Sequence, residues 1–178
     1  MGSAFALIAT VGIQTPANSA DDKSGKTRAS ATVVINAPPK VVWHALEKER
    51  FSSPDVAYTK MLSQNGNHET MEQKFINIPI LGSVTAVTKH TKDLHKRVDY
   101  ELIKSSKFKA LEGSWELTPV KGGKATSLKL SSLIDIGVPF SGFFIKSATH
   151  KKIQRRLDNV KKIAEKDQAQ LAASGATE

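Results

Sequence analysis

From Leu111 to Pro139 the chain reads LEGSWELTPVKGGKATSLKLSSLIDIGVP, two alternating runs around a double glycine, closed by a proline. Leu111, Gly113, Trp115 and Leu117 recur at every second position, and Leu128, Leu130, Ile134 and Ile136 do so after the turn, with Ser132 breaking the series. A period of two places each set on one face of a strand. Gly122-Gly123 supplies the positive φ angles of a tight turn. The segment therefore predicts two long hairpin strands, each with one face to bury, followed by an element that can cover them.

Upstream, the same period predicts strands at about Val56–Gln64, Glu69–Ile76, Ser83–Lys92 and Lys96–Ile103, leading into Phe108–Pro119 and Lys124–Ile136. Asn65-Gly66-Asn67 is a hairpin turn, and Pro79 with Leu81-Gly82 interrupts the next connection. Ala31 to Asn36 is a β-branched run ended by Ala37-Pro38-Pro39, prolines suited to a first helical turn. Val41, Val42, Ala45 and Leu46, with Trp43 beside them, give a short apolar face, here assigned to two short helices. The last helix is expected from Pro139–Ser141 to about Gln170. On a wheel centred on Ile153, its inward stripe collects Gly142, Lys146, Thr149, Ile153, Leu157, Val160 and Ala164, while Phe140 and Phe144 fall away from it.

Gly113-x-Trp115, the Gly122-Gly123 turn, Thr126-x-Leu128 and the late Pro139 resemble the end of the START-like, helix-grip superfamily, in particular its polyketide cyclase and coenzyme Q-binding branch. The resemblance covers about residues 30 to 165. It implies an α+β fold of order β-αα-β6-α, a curved antiparallel sheet of about seven strands wrapped around a long C-terminal helix, with a cavity for a hydrophobic molecule between them. Val98, Tyr100, Leu102, Leu111, Trp115, Leu117, Leu128 and Leu130 are the sheet residues nominated as walls, with Lys146, Thr149 and Ile153 from the helix. Any of the apolar ones serves equally well as plain core, because an alternating strand needs an inner face in every β protein. Phe51-Ser52-Ser53-Pro54 departs from the family's usual aromatic and proline near the end of the second helix, so a differently shaped lid is expected there.

With 178 residues, one domain is the economical reading. Ala4 to Ile13 is apolar and uncharged, and Pro16, small residues and Asp21-Asp22 follow, the pattern of a signal peptide over residues 1–20. It is too short for a membrane span. Residues 21–29 then read as a linker, 30–170 as the ligand-binding domain and 171–178 as a flexible tail. Export to the periplasm or outside the cell is the expectation, with a cytoplasmic protein as the alternative. The chain has no cysteine, which excludes disulfides and thiolate chemistry.

The net charge is +9, and Lys146, Lys151, Lys152, Arg155, Arg156, Lys161, Lys162 and Lys166 crowd the last helix. Such a helix suits an anionic membrane surface, or is a solvated face that aids solubility. Lys146, on the inward stripe, is the residue expected to meet a ligand head group. His44, His68, His90, His95 and His150 show no metal-ligand spacing, and no nucleophile elbow or phosphate loop is present, so neither metal nor cofactor is expected. Asp99 and Glu101 should face solvent. These features favour a non-enzymatic carrier of a quinone, sterol-like or acyl lipid. A cyclase or dehydratase using Tyr100, His90 and Lys146 is the alternative. An RNA-directed role, known in ribosome-association toxin-like relatives, is disfavoured by the sparse aromatics on the basic helix and by export.

Overall fold

The computed structural model describes residues 26–138 and 142–175. The expected signal peptide, the linker up to residue 25, the expected helix start at 139–141 and residues 176–178 of the tail lie outside the described residues. Seven strands form one antiparallel sheet: β1 (Lys26–Ile35), β2 (Val56–Asn65), β3 (His68–Ile78), β4 (Gly82–Asp93), β5 (Arg97–Ser105), β6 (Ala110–Val120) and β7 (Ala125–Asp135), in spatial order β1-β7-β6-β5-β4-β3-β2. Two helices complete it, α1 (Pro39–Ser52) and α2 (Gly142–Gly175), and α2 lies against β1, β7 and α1. This is the helix-grip arrangement.

Three details differ from the sequence reading, the last being that α2 runs on to Gly175 and takes in residues 171–175 of the expected flexible tail. β1 begins at Lys26, four residues before the expected Ser30, and pairs with β7 from Lys26↔Asp135 to Ile35↔Thr126. Its early inward residues are Thr27 and Ala29, both buried, whose small or polar side chains carry no hydrophobic alternation. β7 offers a long unpaired row of backbone groups, and the chain before Ser30 satisfies it. The second difference is that one continuous helix, α1, replaces the two short ones. Pro38 and Pro39 start it, and no glycine or proline interrupts residues 40–53. Val42, Trp43, Ala45, Leu46, Glu49 and Arg50 are all buried, a stripe at helical spacing that a break would dissolve. The helix stops where Ser53 turns extended ahead of Pro54, as a residue before proline prefers.

The core falls into two clusters. The larger joins Ile35, Val42 and Leu46 to Val98, Trp115, Leu128 and Leu130 of the sheet and to Ile153, Leu157, Val160 and Ala164 of α2. The smaller gathers Ile78, Val84, Phe108, Leu111, Ile136 and Ile145 at the other end of the groove. Tyr100 packs against both. The cavity lies where they fail to meet.

Candidate functional site

The register sets a row across the concave face: Glu69 of β3 pairs with His90 of β4, His90 with Tyr100 of β5, Tyr100 with Gly113 of β6 and Gly113 with Ser132 of β7. Four of these five residues are polar. Ser132, the interruption in the β7 alternation, ends this row. Gly113 lets the row close. Tyr100 lies across it, and its hydroxyl donates to the Ser131 carbonyl at 3.1 Å. A Cβ on Gly113 would sit 2.6 Å from Tyr100 Cζ and closer still to the phenol oxygen and the Ser131 carbonyl. The G-x-W motif thus has a physical basis: the glycine clears space for a tyrosine, and Trp115 lines the same wall two residues on.

Around this row the cavity measures about 90 Å³. Val56, Phe75, Ile78, Phe108, Leu111, Trp115, Leu130, Ile134 and Ile153 form its apolar lining, and Arg50, Asp55, Gln73, Thr88, His90, Tyr100, Ser132, Thr149, Lys152 and Arg156 its polar one. Left empty, such a void costs roughly 2 kcal/mol at about 24 cal/mol per Å³. It is smaller than the roughly 300 Å³ at which ligand pockets begin. A head group fits as the walls stand; a larger guest requires them to part.

Three carboxylates organise the cations. Glu49 is fully buried and takes a bidentate bond from Arg156, Nε to Oε1 at 2.9 Å and Nη2 to Oε2 at 2.6 Å. The Arg156 guanidinium also stacks 5.0 Å from the Trp115 ring centroid. Glu69 accepts from Arg50 at 2.7 Å and from Lys92. Burial pushes the Glu69 carboxyl up, but the bonds from Lys92 and Arg50 outweigh it and hold the group below its ordinary range. Asp55 accepts from Lys152 and Arg155, both at 2.8 Å, through one oxygen, Oδ1.

His90 stands among these charges. Burial first, and the Arg50 charge second, push it down from 6.5 to about 3, against a partial opposing pull from Glu69. Its ring is therefore neutral at physiological pH. Nε2 is 2.8 Å from Thr88 Oγ1, while Nδ1 is buried with no hydrogen-bond partner. Arg50 Nε and Asp55 Oδ2 are buried without partners as well. Of the four such atoms among the described residues, these three belong to residues that line the cavity, and the fourth, Ser53 Oγ, does not. Because an unmet buried polar atom costs about 1–3 kcal/mol, a guest offering a hydrogen-bond acceptor to Arg50 and a hydroxyl to Asp55 recovers energy that the apolar wall cannot supply.

Of the residues nominated from sequence, Tyr100, Leu111, Trp115, Leu130, Thr149 and Ile153 line the cavity. Val98, Leu117 and Leu128 are core beneath the helices, and Leu102 packs half-buried against the smaller cluster. Lys146 is half-buried outside the lining, and Arg50, Lys152 and Arg156 are the cations at the cavity. The helical wheel explains the substitution. At 100° per residue, Ile145, Lys152 and Arg156 fall within about 40° of one another, on the flank of the stripe that a wheel centred on Ile153 treats as its margin. The cavity lies against that flank, so Ile145 is buried in place of Lys146. Asp99 and Glu101 are exposed, as their alternation requires.

Arg50, Asp55, Gln73 and Thr88 were not singled out from the sequence. A signal for the first existed. Glu49 and Arg50 continue the apolar stripe of Val42, Trp43 and Leu46 at helical spacing, and charges at inward positions announce a buried network. Among the described residues no cluster of acidic or histidine side chains has the arrangement of a metal site.

A curved antiparallel sheet gripping one long helix, with an internal cavity between them, defines a helix-grip protein of the START-like class. The family model for polyketide cyclase / dehydrase and lipid transport matches residues 26–165, and the chain belongs to that family. Solved structures share the fold at low identity. A protein from Thermus thermophilus is 17% identical with a TM-score of 0.65, over 83% of this chain and 99% of that one. The Zhui aromatase/cyclase from a Streptomyces species is 14% identical with a TM-score of 0.63, over 79% and 94% respectively. A START superfamily protein from Mycobacterium smegmatis is 15% identical with a TM-score of 0.59, over 81% and 98%. Among curated proteins none matches in sequence.

Proposed function

We propose that this chain binds a hydrophobic small molecule bearing carbonyl and hydroxyl oxygens, a quinone-like, sterol-like or acyl compound, with its oxygenated end on the polar row and its apolar part against Phe75, Phe108, Leu111 and Leu130. The observation that carries this reading is that three residues lining one cavity of mixed polar and apolar walls, Arg50, Asp55 and His90, each hold a buried polar atom without a partner. Burying about ten methylenes gains roughly 8 kcal/mol before association and ordering costs are subtracted, and it is from this gain that parting the walls must be met. We place the binding step in the periplasm, on the apolar run Ala4 to Ile13.

The test is mass spectrometry of organic extracts of the protein after incubation with total bacterial lipid. One enriched oxygenated class at near-stoichiometric amount is the expected result. Nothing above a control protein overturns the reading.

A second reading, a cyclase or dehydratase, draws on the polar row itself and on the likeness to the Zhui aromatase/cyclase. His90 and Tyr100 face each other with ring centroids 5.9 Å apart. A base whose conjugate acid has a pKa of about 3 is weak at neutral pH, however. The row is therefore better suited to holding oxygen atoms than to removing protons. Dehydration of a poly-β-ketone mimic that disappears in His90→Gln, with binding retained, would reverse that order.

A further inference from the structure

One end of the sheet gathers the β3–β4 turn, the β5–β6 connection and the close of β7. Lys26, Ala110 and Asp135 are cross-strand neighbours there, Lys109 N donates to the Asp135 carbonyl at 2.8 Å, and Ser106 N donates to the Thr85 carbonyl at 3.0 Å. The smaller core cluster backs this end through Ile78, Phe108 and Ile145.

Two large apolar side chains stand out from it: Ile80 is 63% exposed and Phe144 67%. Ile80 also has a φ of 70°, a left-handed conformation that β-branched residues avoid. Isolated exposed apolar residues are ordinary; the charge around these two is not. Residues 73–92, 102–111 and 136–157 contain no aspartate or glutamate. Lys104, Lys107 and Lys109 are exposed in the β5–β6 stretch, and Lys107 Nζ donates to the Leu81 carbonyl at 2.5 Å, which sets a lysine beside Ile80. At the close of β7, Asp135 Oδ1 accepts the Gly137 N–H at 2.7 Å. On the helix Lys152 and Arg155 are engaged by Asp55, Arg156 by Glu49 and Lys161 by Glu165, while the exposed Lys151, Lys162 and Lys166 share their stretch of chain with Asp158, Glu165 and Asp167; the loop end differs in setting exposed lysines beside two large exposed apolar side chains in acid-free stretches.

We propose that this end docks on an anionic lipid bilayer, with Ile80 and Phe144 entering the headgroup layer and Lys104, Lys107 and Lys109 resting against lipid phosphates. The docking surface is thus the loop end of the sheet, not the outer face of the basic helix. A lipid interface uses both tip side chains, whereas a nucleic-acid base could stack on Phe144 but finds no π-face on the aliphatic Ile80, which favours membrane over RNA. Each lysine near such a surface changes partition about fivefold. Vesicle binding is read without any cavity ligand, so this inference and the ligand-binding reading fail separately.

The test is cosedimentation of the full chain with phosphatidylcholine vesicles, with and without about one third phosphatidylglycerol, at low and high salt. Binding to the anionic vesicles alone, falling with salt, is the expected result. Ile80→Asn with Phe144→Ser should weaken it about tenfold, and Lys107→Glu with Lys109→Glu at least as much. Asparagine tolerates the left-handed backbone at position 80, so an unchanged urea midpoint confirms that the first variant is folded. Lys162→Glu with Lys166→Glu, on the distal half of α2, should stay within about twofold of the parent, since those charges lie outside the proposed contact. Three results overturn the proposal: no binding to anionic vesicles, tip variants that bind as the parent does, or equal loss in the distal variant. Single-stranded RNA bound through Lys107 and Lys109 without vesicle binding would likewise replace the membrane with nucleic acid.

Discussion

Glu49 carries more of the site than its position in α1 suggests. It is wholly buried, it accepts from Nε and Nη2 of Arg156, and Arg156 in turn covers Trp115 on the cavity wall. Burial lowers the Arg156 guanidinium pKa, and the Glu49 charge and hydrogen bonds more than reverse this, leaving it above its ordinary value. Glu49→Ala strands that guanidinium and should cost about 3–5 kcal/mol in urea unfolding. Glu49→Ala with Arg156→Met should recover much of the loss, because a pair removed together leaves no lone buried charge. Gly113 is the second sensitive point. Gly113→Ala drives a methyl into Tyr100 and the Ser131 carbonyl and should cost at least the roughly 1–3 kcal/mol of ordinary overpacking. Tyr100→Phe, which removes one hydrogen bond, should cost about 1 kcal/mol.

At the scale of elements, α2 does two things with adjacent stripes. Ile153, Leu157, Val160 and Ala164 fill the larger core, while Ile145, Lys152 and Arg156 turn toward the smaller core and the cavity. Ile145→Ala should therefore cost about 2–4 kcal/mol by urea unfolding, as a buried aliphatic truncation does. Lys146→Ala, one position away and half exposed, should stay within about 0.5 kcal/mol. The strands and the β6–β7 turn were legible in the sequence because period-two alternation and Gly122-Gly123 are local signals. The start of β1 was not, since Thr27 and Ala29 are buried by pairing with β7 rather than by hydrophobicity. The site was half legible: Tyr100, Leu111, Trp115, Leu130, Thr149 and Ile153 lie on regular alternations or on the helix stripe. Arg50 had a signal, a charge on the buried stripe of α1, but Asp55, in the connection from α1 to β2, and Arg156, on the flank of the α2 stripe, became wall residues through contacts between distant segments that no single segment encodes.

For the whole molecule, the buried polar row ties stability to pH. The unfolded chain binds a proton at His90 near 6.5, and the folded protein does so only near 3. Between those values the unfolded state holds the extra proton, so the free energy of unfolding rises with pH, at up to about 1.4 kcal/mol per unit. The contribution is complete above 6.5, shrinks as the pH falls and is gone below 3. Glu69 adds a loss of the same sign, because its folded pKa is also lowered, but that loss begins only as the pH falls toward the ordinary carboxylate value of 4.5. The window from 6.5 to 4.5 therefore reports on His90 ahead of Glu69. Urea unfolding at pH 7 and pH 5 should show the parent protein losing about 1–2 kcal/mol, and His90→Gln, which keeps a polar group without the titration, losing distinctly less. Equal losses in the two proteins would mean that the imidazole reaches protons in the folded state, and that the cavity opens to water far more often than its packed walls imply.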